Sequence, residues 1–311
     1  LSSAPWVFSN DRTASLCAKV DQAGTPIGKF MLIGQGMQTG ANNVFGELPI
    51  SVIQDWHLSS ENYAFRISNS DIGRYSISRR NEVLLYVEEE TDFAHLPAKV
   101  RDHLNAHISK LKGRAAYKRG NCEWWKFTWP LHKTHYSSAR LVCPYLAQTN
   151  RFALVDGERL IGLTDTTVLF DNEQAESLKY LLGLLNSRLL TFRFRSIGKL
   201  KGNGIYEYFW NSISRLCVKR LDLSKKPDRE RHDRLVELVD TMLALHAKLA
   251  AAQSPDVEEN LRRQIAATDR AIDALVYALY GLTAEEIALV ESATAPQTAA
   301  MDSETEQPNR S

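Results

Sequence analysis

Apolar residues along this chain fall into two regimes. Up to about residue 220 they come in short runs, several of them alternating, divided by polar and glycine-bearing joints; beyond it they recur every three or four residues. The first regime predicts strands with interspersed helices, and the second predicts long helices. Pro5, Trp6, Val7 and Phe8 lead to an N-cap at Ser9 or Asn10, then an amphipathic helix with Leu16, Ala18 and Val20 that stops at Gly24. Strands are predicted at Val44–Ile53, Phe65–Ile67, Tyr75–Ile77 and Val83–Val87, then at Trp124–Trp129, Arg140–Pro144, Phe152–Val155 and Thr166–Phe170. A helix is predicted over Leu96–Leu111, with Pro97 in its first turn and Val100, Leu104, Ile108 and Leu111 on one face. One long helix is predicted over Gln174–Arg195, burying Leu178, Leu181, Leu182, Leu185, Leu189 and Phe192.

After a strand-like Ile213–Val218, the boundary falls near Leu221–Pro227. Leu235, Leu238, Met242, Leu245 and Leu249 then repeat at heptad spacing, as do Leu261, Ile265, Thr268, Ile272, Leu275 and Leu279 beyond SPDVEEN. Two such helices joined by a short loop form an antiparallel pair, each on the order of 30 Å long. The pattern therefore predicts an α+β chain: a first unit over 1–220, a helical hairpin over 221–292, and a disordered tail, 293–311, rich in Ala, Thr, Gln, Glu and Pro.

The composition, 44% hydrophobic and 24% charged over 311 residues, is that of an ordinary globular chain. No apolar run approaches the roughly 20 residues of a membrane span. The chain begins at Leu1 without Met or a signal-type segment, which reads as the C-terminal part of a longer polypeptide. Cys17, Cys122, Cys143 and Cys217 form no CxxC pair, which fits reduced thiols in the cytoplasm. Cys122, His132, His135 and Cys143 have no common zinc-finger spacing, so no metal site is expected. Charge is polarised: Leu1 to Pro227 holds 30 Lys and Arg against 21 Asp and Glu, a balance of +9, and Asp228 to Ser311 holds 8 against 16, a balance of −8. A basic body with an acidic helical end suits a protein that meets a polyanion with one part only.

Three stretches carry candidate chemistry. IGQGMQTGANNVF, Ile33 to Phe45, reads as a tight polar loop between two buried strand ends, with Gln38, Thr39, Asn42 and Asn43 able to meet a phosphate or a base. Glycine and asparagine are equally the default residues of a hairpin turn. Neither the Walker loop nor the dinucleotide GxGxxG spacing is present. KLKGRAAYKRGNCEWWK, Lys110 to Lys126, sets six Lys or Arg against one Glu among Tyr117, Trp124 and Trp125. Such a composition suits a nucleic-acid surface, or a solvated loop whose tryptophans belong to the core; at least one of Trp124 and Trp125 is expected there. From Ser177 to Tyr206 there is no acidic residue, while Lys179, Arg188, Arg193, Arg195, Lys199 and Lys201 are basic, so the helix end and the loop GKLKGNG form a one-signed patch.

Gly36 to Phe45, the Leu184-Leu185-Asn186-Ser187 piece and the closing IDALVYALYGLTAEEIALVE, Ile272 to Glu291, together resemble segments of the C-terminal target-recognition domain of TaqI-like adenine DNA methyltransferases and type IIG restriction-modification enzymes. The leucine-rich piece is also similar to specificity subunits of type I systems. The resemblance runs from Pro5 to about Glu291. It implies a mixed-sheet recognition domain followed by a helical spacer, gripping duplex DNA and setting which sequence is methylated at adenine as part of bacterial defence. It also implies an upstream methyltransferase domain that uses S-adenosylmethionine, because the Asn-Pro-Pro-aromatic catalytic motif and the cofactor strand of the family do not occur here. No nuclease motif is found either; Asp156, Glu158 and Arg159 lack the needed lysine. Lys118, Arg119, Arg193, Arg195, Lys199 and Lys201 are then expected on phosphates, with Asn203 in the same loop, and Arg74, Arg79, Arg80 and Arg114 on bases. Gln38, Thr39, Asn42 and Asn43 could serve either role. Two other readings are a fragment of a type I-like specificity subunit and a non-catalytic protein-interaction module built on the heptad helices.

Overall fold

The computed structural model describes residues 11–157, 159–172 and 176–295. The fold is α+β and is organised around a four-stranded antiparallel sheet in the order Met31–Gln35, Thr166–Asp171, Arg140–Pro144, Ala153–Val155. Its two inner strands are buried along almost their whole length, around the apolar runs Leu141–Cys143 and Val168–Phe170. Successive side chains alternate between two cores. Leu141, Cys143 and Leu169 face a helical layer, while Val142, Val168 and Phe170 face a second core shared with another sheet. That second sheet runs Leu48–Pro49, Glu82–Leu85, Tyr63–Ile67, Leu160–Gly162, and its last pair is parallel, so the sheet is mixed.

The helical layer comprises Asp11–Ala23, Leu178–Asn186, Arg188–Arg195 and the hairpin Lys226–Ala250 and Pro255–Leu279, closed by Ala284–Thr294. The hairpin has no core of its own at its root. Leu235, Val239, Met242, Ile272 and Val276 belong to the same cluster as Leu181 and Leu185. A Cβ added to Gly183 would lie 3.0 Å from Leu235 and Val239 side-chain atoms, so the hairpin lies directly against the Leu178–Asn186 helix.

Several predicted elements differ. The run expected as a strand over Val44–Ile53 is a helical turn Asn42–Phe45, a two-residue strand Leu48–Pro49 and a second turn Val52–Asp55, because Gly46 and Pro49 break the alternation. The polar loop therefore leaves into a helical turn and not a strand. Tyr75 adopts φ 62° and Tyr75–Ile77 forms no strand. Nor does Trp124–Trp129, whose only ladder contact among the described residues is the Gln38–Trp129 bridge. The helix expected over Leu96–Leu111 breaks at His107 into Ala98–Ala106 and Ile108–Gly113, with Pro97 as the N-cap. The long helix breaks at Ser187, which has ψ 155° and whose hydroxyl accepts the Leu190 N–H, capping a new helix. Within Ile213–Val218 only Cys217–Val218 is a strand, paired with Thr25–Pro26. Ala293 and Thr294 complete the last helix. The cluster Pro5–Phe8, the caps Ser9 and Asn10, Glu158, residues 174 and 175 and the tail 296–311 lie outside the described residues.

A polar joint fastens the hairpin to the sheet unit. Arg74 donates to both carboxylate oxygens of Asp269, at 2.8 and 2.6 Å, and to the Asn186 carbonyl at 2.7 Å. Asp273, one turn on, accepts the Arg188 backbone N–H at 2.8 Å at the start of the new helix. Burial pushes the Asp273 carboxyl up to about 6, and the Arg188 and Arg74 guanidiniums only partly offset it. A carboxyl whose folded-state pKa is raised binds its proton more tightly folded than unfolded, so it adds stability as pH falls through about 6 toward 4. Asn at this position keeps an acceptor for Arg188 and removes the titration. Relative to Asp273→Asn, the unaltered chain should gain about 1 kcal/mol between pH 7 and pH 5 in urea unfolding; parallel profiles would refute this.

Candidate nucleic-acid interface

The loop Gly36–Phe45 fastens the two sheets together. The Gly36 N–H donates to the Thr166 carbonyl at 3.0 Å and the Met37 N–H to the Gly162 carbonyl at 2.9 Å, while Gln38 and Trp129 exchange backbone hydrogen bonds. Gly40 turns the chain at φ 72°. Thr39 is fully buried; its hydroxyl donates to Asn42 Oδ1 at 2.6 Å and accepts the Ala41 N–H at 3.0 Å. Thr39 thus shapes the loop and is not presented to a ligand. Gln38, Asn42 and Asn43 are exposed, and Asn43 Oδ1 accepts from Lys110 Nζ at 2.5 Å.

The arginines expected on bases are mostly engaged within the protein. Arg114 is buried and donates to the carbonyls of Leu111 at 3.0 Å, Thr39 at 2.7 Å and Trp124 at 2.7 Å. Arg74 holds Asp269, and Arg80 holds the buried Asp71 carboxylate, 2.7 Å from both oxygens. For Arg74, burial opposes the charge, but the Asp269 hydrogen bonds and charge win and raise its pKa. These three are corrected from base readers to structural ties. Arg79 remains exposed, its guanidinium 5.9 Å over the Phe65 ring. Of the expected phosphate contacts, Arg193 chelates Asp21 at 2.8 and 2.6 Å, a further correction, and Arg195 donates to the Ala293 carbonyl at 2.6 Å.

The remaining cations stand at the surface in two places. Lys118 and Arg119 end the helical turn Ala115–Lys118, beside Lys112 over the Trp124 ring and Lys126 over the Trp125 ring, at 5.7 and 4.9 Å. Trp125 is buried, and Trp124 is half-buried against Phe93. Lys199, Lys201 and Asn203 lie exposed on a hairpin of Lys199–Gly202 with Ile205–Glu207, which adds to Leu146–Ala147 to form a three-stranded sheet. Asn203, at φ 48°, and two glycines at positive φ make its turn. Lys201 Nζ is 3.3 Å from Glu207, whose carboxylate also accepts the Tyr145 hydroxyl.

Two residues missed in the sequence stand out among the described ones: Trp129 and Trp210 are 43% and 46% exposed. Their only signal was a large aromatic set beside Pro130 in one case and Asn211-Ser212 in the other. Among the described residues no three His, Cys, Asp or Glu converge on a metal-sized site, and Cys143 is buried facing the helical core.

The profile of the TaqI-like C-terminal specificity domain matches residues 67–218. The Type II methyltransferases M.HincII of Haemophilus influenzae and M.HindII of Haemophilus influenzae strain Rd are each 30% identical to this chain over 95 residues, 30% of this chain. The matched part spans only 18% of those relatives' length. The solved structure of the Type IIL restriction-modification enzyme MmeI in complex with DNA has the same fold, with a TM-score of 0.58 at 13% identity over 86% of this chain and 36% of that one. Residues 67–218 of this chain are a TaqI-like C-terminal specificity domain.

Proposed function

We propose that this chain is the DNA target-recognition portion of an adenine-specific DNA methyltransferase of a cytoplasmic, bacterial restriction-modification system. It holds duplex DNA while a catalytic domain outside this chain, loaded with S-adenosylmethionine, flips and methylates the adenine. The observation that carries this reading is the specificity-domain match over 67–218, which includes both exposed basic places, Lys112–Lys126 and Lys199–Lys201. On this reading Lys118, Arg119, Lys199 and Lys201 contact phosphates and fix the register, while Arg79 and Asn203, together with Gln38, Asn42 and Asn43 ahead of the matched region, meet groove edges or backbone. Bond-making belongs to the partner domain. The helical hairpin, rooted in the same core as the recognition unit, fixes that unit relative to whatever it joins.

The test is methyl transfer by the complete polypeptide that contains this chain, incubated with S-adenosylmethionine and duplex DNA. N6-methyladenine at a defined short sequence is expected, and exchanging residues 67–218 for another specificity domain should move the methylated site. Methylation confined to cytosine would contradict the adenine assignment. Methylation at an unchanged site after the exchange would contradict the recognition role.

A further inference from the structure

The hairpin of Lys199–Gly202 with Ile205–Glu207 stands out from the body of the chain. Successive side chains of a strand point to opposite faces, yet all four residues of Lys199–Gly202 are exposed, so neither face of that strand is covered by the protein. Leu200, at 57%, is the most exposed large apolar side chain among the described residues. A Cβ built on Gly202 would meet nothing within 4 Å. The strand pairs on one side only, and the ladder from its partner to Leu146–Ala147 ends at Tyr206, so the tip beyond is a two-stranded ribbon. The ribbon is nonetheless held. Gln148 Nε2 donates to the Asn203 carbonyl at 3.1 Å, and the Gln148 carbonyl accepts from Arg195 Nη2 at 3.1 Å, while Arg195 Nη1 donates to the Ala293 carbonyl at 2.6 Å. At its base the Tyr208 N–H donates to the Tyr145 carbonyl at 2.8 Å, and the Tyr145 hydroxyl donates to the Glu207 carboxylate. Asn203 thus sits exposed at the tip with its backbone fixed at φ 48°, and its side-chain amide makes no hydrogen bond among the described residues.

The major groove of duplex DNA, about 12 Å wide, admits a two-stranded ribbon, whereas the minor groove, about 6 Å wide, does not. Lys199 makes no ion pair among the described residues and Lys201 only the one to Glu207, at 3.3 Å, so the ribbon brings positive charge to the phosphates that border a groove. An asparagine amide has the donor and acceptor that match N7 and N6 of adenine on the groove edge. We propose that the hairpin Lys199–Glu207 enters the major groove of the target duplex and that Asn203 at its tip reads an A·T pair there. The inference rests on the DNA-recognition reading and names the element and the residue that set one position of the recognised sequence. Lysine on an edge strand also guards against sheet pairing, and asparagine is a usual choice at positive φ. The test therefore separates the amide from the turn.

Asn203→Gly keeps the positive φ and removes the amide, and Asn203→Asp keeps the turn while replacing the donor with a second acceptor. The complete polypeptide that contains this chain, unaltered or with either substitution, is given S-adenosylmethionine and a set of duplexes in which each base pair of its methylated site is replaced in turn. The glycine variant should lose about tenfold or more of the discrimination at one A·T pair and keep it at the others. The aspartate variant should shift its preference at that same pair toward cytosine, whose N4 amine it can accept from. Thermal melts of both should match the unaltered protein. Variants that discriminate at every position as the parent does, or a glycine variant that loses discrimination evenly across the site, would overturn the inference and leave the DNA reading standing. A parent that methylates with no sequence preference would overturn the DNA reading, and this inference with it.

Discussion

Arg114→Ala is expected to destabilise the chain by about 3 kcal/mol in denaturant unfolding, one of the largest effects of any single surface-to-core cation here. The side chain was a candidate base reader, yet it is 9% exposed and donates to Leu111, Thr39 and Trp124 carbonyls. Truncation removes three hydrogen bonds from a charged donor in a largely buried site, at about 1 kcal/mol or more each, with the longer Thr128 N–H bond of 3.3 Å left on the Thr39 carbonyl and the Arg114 backbone N–H bond of 3.4 Å left on that of Leu111. Burial depresses the guanidinium pKa, a sign that desolvation outweighs the charges around it, and the carbonyls are what keep it there. Because Thr39 lies in the glycine loop and Trp124 in the basic segment, Arg114 also fixes one relative to the other. Arg114→Ala should thus weaken DNA binding only in proportion to its loss of fold. A variant as stable as the parent that loses sequence preference alone would return Arg114 to the interface.

Gly36→Ala is expected to cost about 3 kcal/mol or more, against about 1 kcal/mol for Gly34→Ala two residues away. The difference follows from what each added methyl would strike. At Gly36 it stands 2.2 and 2.4 Å from the carbonyl oxygens of Leu163 and Gly162, backbone atoms held by the parallel crossing to the second sheet. At Gly34 it meets the His132 ring at 1.9 Å, a side chain that can turn aside. Equal melting temperatures for the two variants would refute the claim that Gly36 is required for sheet-to-sheet contact. The prediction also reassigns the glycine loop: Gly36 and Thr39 are there for close packing, and only Gln38, Asn42 and Asn43 are displayed.

The parts of the fold that the chain announces are those where burial dictates composition. Arg140–Pro144 and Thr166–Phe170 were predicted as strands from apolar runs, and both lie in the sheet centre with two cores to fill. The heptad leucines likewise match the hairpin Lys226–Ala250 and Pro255–Leu279. Breaks were harder. Nothing in the apolar spacing of Leu178–Phe192 marks the stop at Ser187; the serine itself, three residues before an N–H it can cap, was the available sign. Arginine roles were least legible, because they depend on partners far along the chain: Asp269 for Arg74 and Asp21 for Arg193. Charge counting sees these residues as free cations, and only their placement shows that an acid cancels them. The exposure of Trp129 and Trp210 left no sign in the sequence, because it depends on where their backbones are placed.

The most direct test of the central claim is binding of the 311-residue chain to random duplex DNA over a salt series, with Lys199→Ala/Lys201→Ala as the paired variant. The account predicts binding at low salt that weakens steeply as salt rises, and a log–log slope shallower by roughly 1–2 in the variant, as expected for lost phosphate contacts. A folded chain that binds no duplex at low salt, or a variant whose slope equals that of the parent, would contradict it.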